Sequence, residues 1–258
     1  MLILAYHRVN PEIRDGLSVS PSMIESQVEW LQSRGWKNVV LEEAIASGEV
    51  AAPDKSFAIT LDDGYRDNYV HAVPSLERLG VRATVYLISG MIDSQEPFPW
   101  VRPYGGTYDE LDLHMTSEQI QDAMDRGTFV YGSHTLSHPF LTTLGLGEAR
   151  KQVEASKQDL EQLLEREVTS FCYPAGDFTS PIVDLVGEAG YTAAVVTPNR
   201  HIPESMLTLH RVGVYSHITP RLFATKVNRA VRWAQHTKAF WWIRSRVPRP
   251  PIGRPRSG

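Results

Sequence analysis

Apolar runs rich in β-branched residues alternate with amphipathic segments of helix length along most of the chain. The runs predict seven strands, at 2–6, 57–61, 83–88, 128–131, 169–173, 191–196 and 207–214. The longest amphipathic segment, 147–166, places Val153, Leu160 and Leu164 on one face of a helix. Strands that alternate with helices are typical of a parallel sheet, so the pattern predicts an α/β fold built from βα units.

The starts of several helices are marked by a hydroxyl residue followed by proline. This pair occurs at Ser20–Pro21, Ser180–Pro181 and Thr219–Pro220. The hydroxyl can cap free N–H groups, and proline is tolerated at the first helical position. Thr116 and Gln119 have the spacing of a capping box. These pairs therefore predict where four helices begin.

Composition indicates a globular protein that needs no disulfide. The 258 residues are 42% hydrophobic, and the single cysteine, Cys172, excludes an intramolecular disulfide framework. The opening "MLILAYHRVN" has no basic residues before its apolar run and no cleavage site of small residues, so we interpret it as a strand. No apolar run is long enough for a transmembrane helix. We therefore expect a cytoplasmic protein.

Charge is distributed unevenly along the chain. From Arg211 to the end there are eleven Lys and Arg and no Asp or Glu, which leaves 15 basic against 30 acidic residues in 1–210. We predict a globular domain over 1–218, a basic amphipathic helix over 219–245 and a disordered basic tail over 246–258. A helix docked on the globular domain is the first interpretation. A peripheral anchor on anionic lipid is the alternative, and no nucleic-acid partner is expected because the acidic domain would repel phosphates.

Polar clusters follow four of the predicted strands. His7 follows the first, Asp62-Asp63-Gly64 follows 57–61, "GSHTLSHPF" follows 128–131 and "YPAGDF" follows 169–173. Parallel α/β barrels place their active sites at the carboxyl ends of their strands. The shared position therefore predicts that these clusters meet in one site.

Each cluster alone also has a purely structural interpretation. The acidic pair could form a turn or a helix cap, and His134 and His138 could be surface imidazoles. Together, two imidazoles and one carboxylate make a set of three metal ligands that leaves coordination positions open. Asp62 and Asp63 point in different directions if the backbone is extended. One can then bind a metal ion while its neighbour faces a substrate.

The motifs resemble those of a known family. "TLDDGY" and "SHTLSH" are similar to the T-F-D-D-G and H-[ST]-x-x-H motifs of NodB-type polysaccharide deacetylases, carbohydrate esterase family 4. "AYHRV", "FCYPAGDF" and "LHRVGV" also look like that family, so the resemblance covers about residues 1–215. It implies a deformed (β/α)7 barrel that removes N-acetyl groups from amino sugars with a divalent metal ion.

The resemblance also implies roles for individual residues. Asp62 would be the general base, and Asp63, His134 and His138 would bind the metal, for which zinc is the first choice. The backbone N–H of Ala175 would help to stabilise the oxyanion. Such a site combines a polarised amide carbonyl, a proton acceptor and fixed N–H donors, which amide hydrolysis requires.

Two histidines compete for the role of general acid. Family members take it either from a late Leu-x-His motif, here His210, or from the first strand, here His7, which we favour because it directly follows its strand. Expected substrate contacts near these motifs are Trp100, Tyr173, Pro174 and Arg211.

The chain departs from the family pattern before the Pro-x-Gly turn. Many members carry an arginine there that orients the base, whereas this chain has Cys172 and Tyr173. The predicted function is metal-dependent N-deacetylation of an amino-sugar polysaccharide or a lipid-linked glycan. Two alternatives stay open: hydrolysis of another non-peptide C–N bond, such as a formyl amide, and non-catalytic carbohydrate binding.

Overall fold

The computed structural model describes residues 1–12, 15–47, 55–101, 109–198, 200–235 and 237–244. Its strands are β1 Leu2–Tyr6, β2 Arg8–Val9, β3 Ser18–Val19, β4 Lys37–Asn38, β5 Ser56–Leu61, β6 Ala83–Leu87, β7 Phe129–Ser133, β8 Ser170–Cys172, β9 Ala193–Val196, β10 Leu209–His210 and β11 Val212–Gly213. Its α-helices are α1 Pro21–Gln32, α2 Leu41–Ala46, α3 Val73–Arg78, α4 Ser117–Asp125, α5 Leu146–Leu164, α6 Ser180–Glu188, α7 Pro220–Val227, α8 Arg229–Gln235 and α9 Lys238–Arg244. The predicted tail over 246–258 lies outside the described residues.

The main sheet is parallel and curls into a nearly closed barrel. Its strands follow the order β10-β9-β8-β7-β6-β5-β1-β11. Only Arg211 separates β10 from β11, so one short stretch pairs with β9 at one end of the sheet and with β1 at the other. This stretch acts as the seventh strand of the barrel. The deformed (β/α)7 barrel is therefore confirmed, with the predicted strand 207–214 divided at Arg211.

Two apolar layers lie on the two sides of this sheet. The interior of the barrel is filled by side chains from strands around its circumference, namely Ile3, Ala58, Tyr86, Cys172, Ala193, Val195 and Leu209. Side chains that alternate with these, such as Phe57 and Phe171, join the larger layer between sheet and helices. At the amino end, Glu42 of α2 accepts hydrogen bonds from Thr84 (2.5 Å) and Ser170 (2.5 Å). Helix α2 thus covers that end of the barrel.

Most of the predicted helix starts are confirmed. The Ser20 hydroxyl accepts from the Met23 N–H, Thr219 accepts from the Leu222 N–H, and the Thr116 capping box is formed. Helix α6 differs, because it begins at Ser180 itself and has Thr179 as its N-cap. Proline at the second position still marks the first turn of that helix.

The basic C-terminal stretch is three short helices and not the single helix predicted over 219–245. Asn228 leaves the helical conformation (φ −62°, ψ 130°) and ends α7. Phe223 and Val227 of α7 are buried in the outer apolar layer, and Phe223 packs edge-on against Trp30 of α1. Helix α7 is therefore part of the packed body of the barrel. No described helix is long and apolar enough to cross a membrane.

Candidate metal centre and active site

The polar clusters meet at the carboxyl end of the barrel. His7 follows β1, Asp62 and Asp63 follow β5, and His134 follows β7. The Asp62 N–H still donates to the Tyr6 carbonyl (3.0 Å), so β5 stays paired up to this residue. Alternation from Ala58 through Asp62 then directs the Asp62 side chain into the barrel interior. The strand ends therefore converge, in agreement with the prediction from the sequence.

Asp63 and two histidines form a group with the composition of a metal site. Asp63 Oδ1 lies 3.4 Å from His134 Nε2 and 3.5 Å from His138 Nε2. The three ligand atoms all lie within 4.8 Å of one another. Two imidazole nitrogens and one carboxylate oxygen are a donor set that zinc and related divalent ions accept.

The surroundings of His134 also suit a metal ligand. Its Nδ1 lies 2.7 Å from the carbonyl oxygen of Cys172. An N–H at Nδ1 that donates to this carbonyl leaves the Nε2 lone pair directed toward Asp63, which is the usual arrangement of a metal-binding histidine. Burial and the neighbouring His134 lower the pKa of His138 to about 4, so His138 is neutral at neutral pH. The residues present therefore fit a divalent metal ion.

The backbone at these residues adopts left-handed conformations that are rare for side chains with a Cβ. The φ angles are 74° at Asp63, 58° at His138 and 70° at Thr135. The next residue after Asp63, Gly64, has φ 72°, and a Cβ there would lie 2.5 Å from His114 Nε2. Such conformations persist only where the surrounding structure enforces them, and they concentrate at functional sites.

Asp62 has different partners from Asp63. Arg211 donates two parallel hydrogen bonds to Asp62, from Nη1 to Oδ1 (2.6 Å) and from Nη2 to Oδ2 (2.7 Å). The same guanidinium reaches Thr60 Oγ1 (3.0 Å) and Cys172 Sγ (3.2 Å). Burial acts to raise the pKa of Asp62, but the Arg211 charge and hydrogen bonds hold it well below its usual range. Asp62 is therefore a carboxylate at neutral pH.

This pairing corrects the prediction made for Arg211. We expected it to contact a substrate, yet its side chain is buried and engaged with Asp62. It also changes how we interpret Cys172 and Tyr173, which stand where many members of the resembled family have an arginine. An arginine does pair with Asp62 in this chain, but it comes from the closing strand of the barrel and not from the stretch before the Pro-x-Gly turn.

The two candidate acids lie in different places. His7 Nε2 is 3.8 Å from Asp62 Oδ2, and its side chain is 20% exposed. The Asn68 side-chain amide donates to the His7 carbonyl (2.9 Å) and fixes the backbone there. His210 lies between Leu209 and Arg211, whose side chains point into the barrel, so alternation directs the His210 side chain away from the interior. The structure therefore brings His7, and not His210, beside Asp62.

The turn after β8 contains one exposed residue, whereas its aromatic residue belongs to the core. Tyr173 is 1% exposed, and its hydroxyl donates to the Leu207 carbonyl (3.1 Å). Pro174 is buried as well. The Tyr173 side chain is therefore directed into the core and not toward a substrate, whereas the contact of Pro174 stays a prediction. Ala175 is exposed and left-handed (φ 54°), and its role as an oxyanion donor stays a prediction.

Trp100 lies at the edge of the metal-site group. Its ring centroid is 4.5 Å from that of His138, and its indole N–H donates to the Tyr65 hydroxyl (2.8 Å). It stacks on Phe98 (5.2 Å between centroids) and remains 36% exposed. A fixed, partly exposed indole beside His138 is suitably placed to contact a substrate.

A buried ionic cluster beside the site was not predicted from the sequence. Arg8 is 1% exposed and contacts Asp67 (Nε to Oδ2, 2.9 Å) and Asp112 (Nη2 to Oδ1, 2.8 Å). Its guanidinium also lies 4.8 Å from the centre of the Tyr65 ring. The cluster joins the segments that follow β1 and β5 to the segment around Asp112. It therefore fixes the backbone next to His7.

The fold and site define a parallel α/β barrel hydrolase with a candidate metal centre. A family model of polysaccharide deacetylases matches residues 49–194, more than half of the chain. The chain therefore belongs to the polysaccharide deacetylase family.

Comparisons with individual proteins agree with this assignment. A Bacillus subtilis protein assigned to the polysaccharide deacetylases is 26% identical over 216 residues, which cover 82% of this chain and 70% of that protein. The poly-beta-1,6-N-acetyl-D-glucosamine N-deacetylase of Staphylococcus aureus is 24% identical over 240 residues, covering 80% and 78%. Among solved structures, a Streptococcus pyogenes deacetylase in complex with acetate has the same fold, with a TM-score of 0.74, 20% identity and coverage of 88% and 98%.

Proposed function

We propose that the chain is a metal-dependent hydrolase that removes N-acetyl groups from amino sugars of a glycan. The main support is that the two adjacent carboxylates have separate partners. Asp63 faces two imidazoles, whereas Asp62 faces Arg211 and His7. One carboxylate is thus arranged to bind a metal ion and the other to act on a proton.

Each residue of the site has a role in this proposal. Asp63, His134 and His138 would hold the ion, which would polarise the amide carbonyl and make water more acidic. Asp62 accepts the proton that the attacking water loses, and Arg211 keeps its carboxylate in place. The Ala175 N–H donates to the developing oxyanion. His7 donates a proton to the leaving amine, so that amide and water give acetate and a free amine.

The class of glycan is inferred from the relatives and from the rim of the site. The named S. aureus relative acts on poly-beta-1,6-N-acetyl-D-glucosamine. The exposed Trp100 indole offers an apolar face to a pyranose ring. We propose that the substrate is a polysaccharide or lipid-linked glycan that contains N-acetylglucosamine. Residues 1–218, together with the packed helix α7, would form the catalytic domain.

Acetate release from a panel of glycans tests the proposal. The panel contains β-1,4-linked and β-1,6-linked N-acetylglucosamine oligomers, a lipid-linked N-acetylated sugar and an N-formylated amino sugar, each with added zinc. The Asp62→Asn variant is the control for contaminating enzymes. We expect acetate from at least one acetylated glycan with the native protein alone. Formate release without acetate would favour a deformylase, and glycan binding without any release would favour a carbohydrate-binding protein.

A further inference from the structure

Helix α8 of the basic C-terminal stretch has a defined position relative to the active site. Arg232 of α8 donates to the carbonyl of Met1 (3.1 Å), which immediately precedes β1. His7, in the active site, follows the other end of the same strand. Five residues of strand at about 3.3 Å each separate the two ends by roughly 17 Å. Helix α8 therefore lies at the amino end of the barrel, opposite the active site.

Two tryptophans are exposed on the helices that follow α7. Trp233 of α8 is 70% exposed and Trp242 of α9 is 58% exposed. By contrast, the apolar side chains Phe223 and Val227 of α7 are almost completely buried against the barrel. Docking on the barrel thus accounts for the apolar residues of α7 but not for the exposed Trp233 and Trp242.

The exposed tryptophans lie in a stretch whose sequence has basic residues and no acidic one. Arg229 and Lys238 are exposed on the same two helices. After Arg211, which is paired with Asp62, the sequence has ten basic residues and no acidic one. Tryptophan prefers the headgroup region of a bilayer, and clustered Lys and Arg are attracted to anionic lipid.

From this arrangement we propose that α8 and α9 bind the surface of an anionic lipid bilayer. Residues 1–210 carry 15 basic against 30 acidic residues, so this part of the chain would be repelled by the same surface and must face away from it. The active site at the opposite end of the barrel then opens away from the bilayer. This proposal does not depend on the enzymatic activity, because none of these residues belongs to the active site.

Co-sedimentation with vesicles tests the binding surface. The full chain should pellet with vesicles of phosphatidylglycerol and phosphatidylcholine, pellet less at high salt and stay in solution with phosphatidylcholine alone. Replacing both exposed charges, Arg229→Glu and Lys238→Glu, should weaken binding by about tenfold or more. The matched control is Lys151→Glu, at a position on α5 where the side chain is 76% exposed. Circular dichroism checks that each variant is folded.

Fluorescence tests which end of the barrel meets the lipid. Quenching of tryptophan emission by brominated lipid should be largely lost in the double variant Trp233→Ala and Trp242→Ala. It should persist in Trp100→Phe, because Trp100 lies at the opposite end. The proposal would be overturned if quenching depended on Trp100 or if the chain bound neutral and anionic vesicles equally. Full binding by both the charge variant and the tryptophan variant would also overturn it. Sedimentation without vesicles, or binding to nucleic acid in place of lipid, would do so as well, by indicating a different partner.

Discussion

Replacing Arg211 should affect both the stability of the fold and the chemistry of the site. In Arg211→Met the side chain keeps similar length but loses its charge and every hydrogen bond. Asp62 is then left in the barrel interior without its bidentate partner. The variant therefore isolates the contribution of one buried ion pair to the proposed base.

The expected cost follows from the burial of both partners. The side chains of Arg211 and Asp62 are only 3% and 4% exposed, so water cannot replace the lost partner. Removing one member of a buried ion pair typically lowers the free energy of unfolding by about 3–5 kcal/mol. Arg211→Lys should be intermediate, because lysine keeps the charge but cannot form two parallel hydrogen bonds. Arg150→Met removes an exposed arginine that also has two acidic partners, and should cost much less.

The pH dependence of this cost has a definite sign. In the native protein the pKa of Asp62 lies below its ordinary value of 3.8, so its contribution to stability is present above that value and is lost as pH falls through the folded pKa. Without Arg211, burial is opposed only by the weaker effects of His7 and His134, so we expect the folded pKa of Asp62 to rise above 3.8. Asp62 in the variant then favours folding only at low pH. The difference in stability between native protein and variant should therefore grow from acidic to neutral pH.

Urea denaturation at neutral pH and at about pH 4 measures this difference. A chelator is present throughout, so that metal binding does not contribute. The native protein should exceed Arg211→Met by about 3–5 kcal/mol at neutral pH and by clearly less at the lower pH. An equal difference at both pH values, or a neutral-pH cost no greater than that of Arg150→Met, would refute the reasoning.

Two further predictions concern the turn at the acidic pair and the general acid. Gly64→Ala should lower the free energy of unfolding by about 2 kcal/mol or more, because it combines a left-handed backbone with a Cβ placed 2.5 Å from His114. Gly80→Ala, at φ 63° with nothing within 4 Å, is the matched control and should cost about 1 kcal/mol in the same urea titration. His7→Ala should slow an N-acetyl sugar far more than an activated acetate ester, whereas His210→Ala should change neither strongly; the reverse pattern would assign the acid to His210.

The convergence of the site was predictable because it depends on local rules. Hydrophobic periodicity located the strands, and parallel strands bring their carboxyl ends to one face. His7, Asp62 and His134 each directly follow a strand, and Asp63 follows Asp62, so no knowledge of the tertiary packing was needed to place them together.

The partner of Asp62 depends on closure of the barrel, which the sequence does not show. Arg211 is 149 positions away from Asp62. The alternation of side chains along a strand does indicate where Arg211 points, because Leu209 and Arg211 share one face of their strand. The same rule places Tyr173 opposite Cys172 and therefore in the layer under the helices. Applying it would have placed the Tyr173 side chain in the core and the Arg211 side chain on the same face as Asp62.

The division of the C-terminal stretch into three helices was harder to predict from the sequence. Composition along 219–245 suits one long helix, and the only sign of an end at α7 is Asn228 preceded by Lys226. Packing decides this boundary, because Phe223 and Val227 must reach the barrel while the chain continues past Met1. Helix propensity does not include such constraints from tertiary packing.

The most direct test of the account compares the two adjacent carboxylates. Asp62→Asn and Asp63→Asn are purified identically, and each is assayed for bound zinc and for acetate release from the glycan that the native protein hydrolyses best. We predict that Asp62→Asn keeps about one ion per chain and loses activity by about 10²-fold or more, whereas Asp63→Asn loses both ion and activity. Loss of the ion from Asp62→Asn with retention by Asp63→Asn would contradict the central claim.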